Sequence, residues 1–195
     1  MNTFKKKMKE KIKQYSKDEY LDGYIKNEYL TKDGDADIYL NVDSLDDLFD
    51  TRTSGNQIEL NSDIYEFIEN KTSMLGSDTI INLHITGANL TAKEQGMVKH
   101  IVKEHYAIEL YKVQKEFSKY RNKVIGLSFI GIIALLCYFI IYFTEDFDLL
   151  LEVFAFIFSF ALWEAADCLI YTLSDIKAER ENITQDLLMN VEFDD

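Results

Sequence analysis

Residues 124–143, VIGLSFIGIIALLCYFIIYF, form a run of twenty positions without a charge. No other feature limits the possible folds of this chain so strongly. About twenty apolar residues in an α-helix suffice to cross a hydrocarbon core of roughly 30 Å. The alternative is the core helix of a soluble protein, which needs apolar cover on every side. A chain of 195 residues is too short to supply that cover. The run also lies too far from Met1 to serve as a signal peptide, and the first residues lack an apolar h-region.

A second span is expected at 149–173. Residues 153–163 are uncharged, but Glu152, Glu164 and Asp167 intrude. Glu152 suits an outer interface beside the acidic turn at 145–148, while Trp163 and Tyr171 suit an interfacial aromatic belt. Orientation follows from basic residues. Lys112, Lys115, Lys119, Arg121 and Lys123 precede the first span, Lys177 and Arg180 follow the second, and the turn between has neither Lys nor Arg. The positive-inside rule then places both termini in the cytoplasm. A proline-free sequence rich in Lys, Asn, Ile and Tyr reads as a low-GC bacterial coding bias. The expected location is therefore a bacterial inner membrane.

The net charge of -13 is unevenly spread. Residues 1–17 carry +6, 18–86 carry -12, 87–123 carry +4 and 124–195 carry -11. Nucleic-acid binding depends on neutralising phosphates, so the acidic soluble part argues against a nucleic-acid partner. Cys137 and Cys168 both fall in the apolar region, which excludes a secreted disulfide framework and a cysteine zinc site in the soluble part. In an antiparallel pair of spans the two cysteines lie at different depths, too far apart to bridge.

Ahead of the spans, residues 1–30 are expected to be a basic helical region. Phe4, Met8, Ile12 and Tyr15 recur at helical spacing among lysines, which suits either an anionic membrane surface or an ordinary solvated helix. Residues 31–122 are expected to form a cytoplasmic α+β domain. Alternating Ile38, Leu40 and Val42 predict a strand over 36–42, and residues 43–50 a short helical turn. A short strand is expected over 57–60. A helix capped by Asn61 or Ser62 should run to about Lys71, burying Ile64, Phe67 and Ile68. Residues 79–85, TIINLHI, make the clearest strand. Thr91 with Glu94 fits a capping box opening a long helix into the first span. The membrane segment is set at 123–173 and a cytoplasmic helical tail at 174–195, where residues 191–193 are either a terminal strand or a frayed end. The fold class expected is thus α+β, a small cytoplasmic domain followed by an antiparallel two-helix transmembrane hairpin.

Catalytic chemistry is sparse. Asp33, Asp35 and Asp37 imitate the start of a calcium loop, but the sixth and twelfth positions are Ile38 and Ser44 rather than Gly and Glu. His100 and His105, five apart, do not share a helix face, and His84 on a strand is expected to be a satisfied edge or core residue. Scattered glycines make neither a phosphate loop nor a dinucleotide fingerprint, and there is no nucleophile elbow. No enzyme activity, cofactor or metal is expected.

What remains is the membrane-embedded polar set. A carboxylate near the bilayer centre costs about 2.5–3.5 kcal/mol on insertion scales, less toward the edge. Glu164 and Asp167, three apart, share one helix face. They are expected to pair with Arg121 or Lys123 on the neighbouring span, to line a cation-attracting vestibule built from several subunits, or to snorkel into the interface. Ser128, Gly131 and Ala134 form a small-residue series that allows close helix approach.

The strand TIINLHI, the long helix ending in Lys and Arg, the paired spans and the motif Trp163-Glu164-x-x-Asp167 resemble a group of small, uncharacterised bacterial two-span membrane proteins with a cytoplasmic α+β domain. The resemblance covers the last 160 residues or so, and implies membrane residence and no known activity. Expected partners are the lipid bilayer, further copies of the chain and a protein at the cytoplasmic domain. The function expected is a non-enzymatic, membrane-anchored interaction or assembly module. A pore formed by oligomerisation and gated by the soluble domain is the alternative.

Overall fold

The structure is a computed structural model that describes residues 3–15, 23–26, 28–53, 55, 58–87, 90–143 and 148–194. The acidic turn at 145–147, the side chain of Phe4 and the start of the strand expected at 57 lie outside these residues. In chain order the elements are α1 (Thr3–Tyr15), β1 (Ala36–Asn41), α2 (Leu45–Leu48), α3 (Ser62–Thr72), β2 (Ile81–Thr86), α4 (Ala92–Tyr142) and α5 (Asp148–Asp167). A π-helical turn (Cys168–Thr172), α6 (Leu173–Leu188) and β3 (Asn190–Phe193) complete it.

The expected fold class is overturned. The chain is predominantly helical, and its one small sheet is parallel throughout, in the order β1-β2-β3. An α+β domain that ends before a membrane hairpin would have to build its sheet from strands that precede the hairpin. Here β2 ends at Thr86, and its second neighbour, β3, arrives only at Asn190, after both long apolar helices. The physical reason lies in parallel pairing, which needs a crossover connection rather than a tight turn. Between β1 and β2 that crossover is α2 with α3. Between β2 and β3 it is α4, α5 and α6 in succession. α4 is one helix of 51 residues.

The chain divides into two compact units, residues 1–107 with 184–195, and residues 108–183. The first holds the sheet. Period-2 alternation sends Ala36, Ile38, Ile81, Leu83, Ile85 and Val191 to a buried face. The same core buries Ile64 and Ile68 of α3 and Val98, Val102 and Tyr106 of α4. Tyr65 meets Tyr106 edge-on at 6.2 Å and stacks on His105 at 3.6 Å. The Thr91–Glu94 capping box is formed: the Thr91 N–H donates to Glu94 Oε2 at 2.8 Å, and the Glu94 N–H to Thr91 Oγ1 at 3.4 Å. Asn61 occupies the N-cap of α3 without a side-chain capping bond.

The second unit contains residues 108–142 of α4, all of α5, the π turn and the start of α6. Its contacts run in opposite chain order: Gln114 with Arg180, Tyr120 with Cys168, Lys123 with Glu164, and Gly131 with Ala161. Both of the chain's long helical stretches, Ala92–Tyr142 and Asp148–Leu188, are long and apolar enough to cross a membrane.

Candidate functional site

Three polar arrangements stand out, one in the second unit and two in the first. In the second unit, Lys123 closes the basic end of the α4 segment that precedes the apolar run. Glu164 lies on α5 near its C-terminal end. Lys123 Nζ and Glu164 Oε1 are 2.6 Å apart, a charge-assisted hydrogen bond between two half-exposed side chains. Asp167 and Arg121 are exposed, and neither makes an ion pair with a described residue. Trp163 and Tyr171 are both strongly exposed. Of the small-residue series, Gly131 and Ala134 are buried and Ser128 is exposed.

A Cβ added to Gly131 would sit 3.6 Å from Ala161 Cβ and 3.9 Å from Phe158. Ala161 and Ala165 are buried as well. They supply the facing half of a seam whose first half alone stands out as a series in the sequence. Just past Asp167, the π turn Cys168–Thr172 widens the helix by one residue per turn, and Cys168 Sγ lies 4.0 Å from the Tyr120 carbonyl oxygen. Neither the π turn nor the Ala161–Ala165 pair has a sequence signal beyond ordinary apolar composition.

In the first unit, the sheet face opposite the core is polar. Registered rows place Asp37 beside Asn82 and Asn190, Tyr39 beside His84 and Glu192, and Asn41 beside Thr86. Asn82 Nδ2 donates to Asp37 Oδ1 at 3.0 Å, Asn190 Nδ2 to Asn82 Oδ1 at 3.0 Å, and Thr86 Oγ1 to Asn41 Oδ1 at 3.2 Å. Parallel sheets are ordinarily covered on both faces. Hydrogen-bonded polar rows are how this sheet keeps one face in contact with water. Centred on it is His84, stacked on Tyr39 at 4.8 Å and ringed by Asp37, Glu192 and Asp194. Of the other histidines, His100 pairs with Glu104 at 3.7 Å and His105 stacks on Tyr65.

The third arrangement is buried. Asp186, near the C-terminal end of α6, is only 4% exposed. Burial pushes its carboxyl up to about 6; nearby Glu69 pushes the same way, and a hydrogen bond from Thr72 opposes both. Among the described residues its Oδ1 has no hydrogen-bond partner, and neither has the buried Tyr106 hydroxyl. Burial also raises the Tyr106 phenol, with Asp186 adding to the effect, and carries the Tyr65 phenol up to about 12. Neighbouring Gln185 closes the α6 end on the loop before β2, donating to the carbonyl oxygens of Gly76 at 2.7 Å and Thr79 at 2.8 Å. In sequence, Asp186 is one acidic residue among many in a charged helix.

No protein-family model, curated protein or solved structure matches the chain. The functional reading therefore rests on these residues alone.

Proposed function

We propose that this chain is an integral membrane protein, a non-enzymatic anchored module whose soluble unit binds a partner or assembles with further copies. One observation carries the membrane assignment. In the most apolar stretch of each long helix only 11% of residues are buried. A soluble core helix would be covered, whereas Ile125, Phe129, Leu136, Phe139, Phe156 and Phe160 all stand exposed. Apolar area on that scale is stable only against lipid or another protein.

The orientation proposed is cytoplasmic for both termini, in a bacterial inner membrane, because basic residues flank the two spans and are missing from the turn at 144–147. The interaction role draws support from the polar face of the sheet, whose rows are hydrogen-bonded across the strands. A carboxylate-lined pore would need Glu164 turned toward an ion path, and its pairing with Lys123 weighs against that use.

The test is fractionation followed by assembly analysis. The protein should stay with membranes through alkaline carbonate extraction. In nanodiscs it should cross-link to itself or retain a specific protein. Release by carbonate would overturn the anchor, and a strict monomer that retains nothing would overturn the assembly role.

A further inference from the structure

We propose that His84, Glu192 and Asp194 form a binding site for a divalent cation of the zinc class on the polar face of the sheet. β2 and β3 pair in parallel with His84 opposite Glu192. Asp194 lies one residue past the end of β3, where its N–H donates to the Ile85 carbonyl oxygen and its side chain reaches His84. His84 Nδ1 lies 2.9 Å from Asp194 Oδ2 and 3.8 Å from Glu192 Oε2, and one ligand atom from each residue falls within 4.8 Å of the others. Zinc bonds to nitrogen and oxygen of about 2.0–2.2 Å place tetrahedral ligands roughly 3.3–3.6 Å apart. Side-chain movements of an ångström or less therefore close the site.

The imidazole is placed as a metal-bound histidine would be. Its other nitrogen, Nε2, faces Asp37 Oδ1 at 3.6 Å, and Asp37 is held in turn by Asn82. A neutral imidazole has one N–H and one lone pair. Carboxylates against both nitrogens can be met in two ways, by a proton on each nitrogen or by one proton and one metal ion. In the second arrangement the metal ion lies on the Nδ1 side and Nε2–H is directed at Asp37. A carboxylate behind the non-ligating nitrogen is the usual orienting arrangement for a metal-bound histidine. Stacking on Tyr39 limits rotation of the ring. Among the described residues Asp37, Glu192 and Asp194 make no ion pair with lysine or arginine, and His84 is the group they share.

One nitrogen and two carboxylate oxygens suit zinc, with a remaining position open to water or a further ligand. Calcium, which takes six to eight oxygens, is poorly served. Binding would tie the last strand to the middle of the sheet.

The experiment uses the full-length chain in detergent, carrying no histidine tag and stripped with chelator. Titration with zinc chloride, followed by calorimetry and by cobalt(II) absorption, should give one ion per chain. His84→Gln and Asp194→Asn should each weaken binding at least tenfold, while His100→Gln should leave it unchanged. X-ray absorption of the zinc-loaded wild type, which does not depend on any variant folding, should show imidazole and oxygen scattering without a sulfur shell. Absence of stoichiometric binding, equal binding by the His84 and Asp194 variants, or a sulfur shell from Cys137 or Cys168 would each overturn the proposal.

Discussion

Lys123 and Glu164, forty-one positions apart in sequence, meet at 2.6 Å and join α4 to α5 at one end of their apolar segments. Near an interface, an unpaired carboxylate on a span either snorkels to water or costs insertion energy. Reversing one partner, Glu164→Lys, should lower the thermal stability of the detergent-solubilised protein. The double exchange Lys123→Glu with Glu164→Lys should restore most of it. Equal loss in the double variant would show that the pair does not hold these helices together.

The seam at Gly131 separates two substitutions that look similar on paper. Gly131→Ala adds a Cβ at ordinary contact distance from Ala161, 3.6 Å, and should be tolerated. Gly131→Leu overpacks the same place and should destabilise by about 1–3 kcal/mol. Melting temperatures of the two variants provide the check, and indistinguishable values would argue against close packing there.

Asp186 predicts a pH dependence whose sign is opposite to that of a surface ion pair. Its carboxyl, at about 6 in the folded chain against an ordinary 3.8, holds its proton where the unfolded chain has released it. Stability contributed by the protonated group is therefore full at low pH. It falls as pH rises between about 4 and 6 and stays lower above that window. Two pK units correspond to roughly 3 kcal/mol. Asp186→Asn should raise stability at neutral pH by about 1–3 kcal/mol and flatten the profile. Denaturant unfolding at acidic and neutral pH measures both effects, and a destabilised, still pH-dependent variant would contradict this reading.

Gly87 ends β2 with φ +92°, and an added Cβ would lie 2.6 Å from Asn41 Oδ1 and 2.7 Å from the Val42 carbonyl oxygen. Left-handed backbone and a clash with main chain act together here. Gly87→Ala should cost about 1–3 kcal/mol. Amide hydrogen exchange in β1 and β2 should rise in step with that loss.

The sequence made the local elements legible and hid the long-range ones. The Thr91–Glu94 box, the alternation in 36–42 and TIINLHI are each written within a few residues, and the structure carries a helix start and two strands there. What failed was the assembly of those pieces. Residues 190–193 are too few for periodicity to separate a strand from a frayed end, and only pairing with β2 decides it. β1 and β2 already pair in parallel, and β3 adds a third parallel strand from beyond both long helices. A predominantly helical chain replaces the expected α+β arrangement. A gap of 110 positions separates His84 from Asp194, too long for any local spacing pattern to join them. Asp186 was hidden differently: its helix is charged on the page, and burial of one position depends on packing against Thr72 and Tyr106.

The central claim is that both apolar segments cross a bilayer, and cysteine labelling of the turn between them tests it most directly. In a background with Cys137 and Cys168 replaced by alanine, Thr144→Cys should react with a membrane-impermeant maleimide added outside intact spheroplasts. A cysteine placed in the C-terminal tail at Ser174 should react only after permeabilisation. Labelling of the turn only from the cytoplasmic side, or full recovery of the protein in the soluble fraction without detergent, would contradict the account.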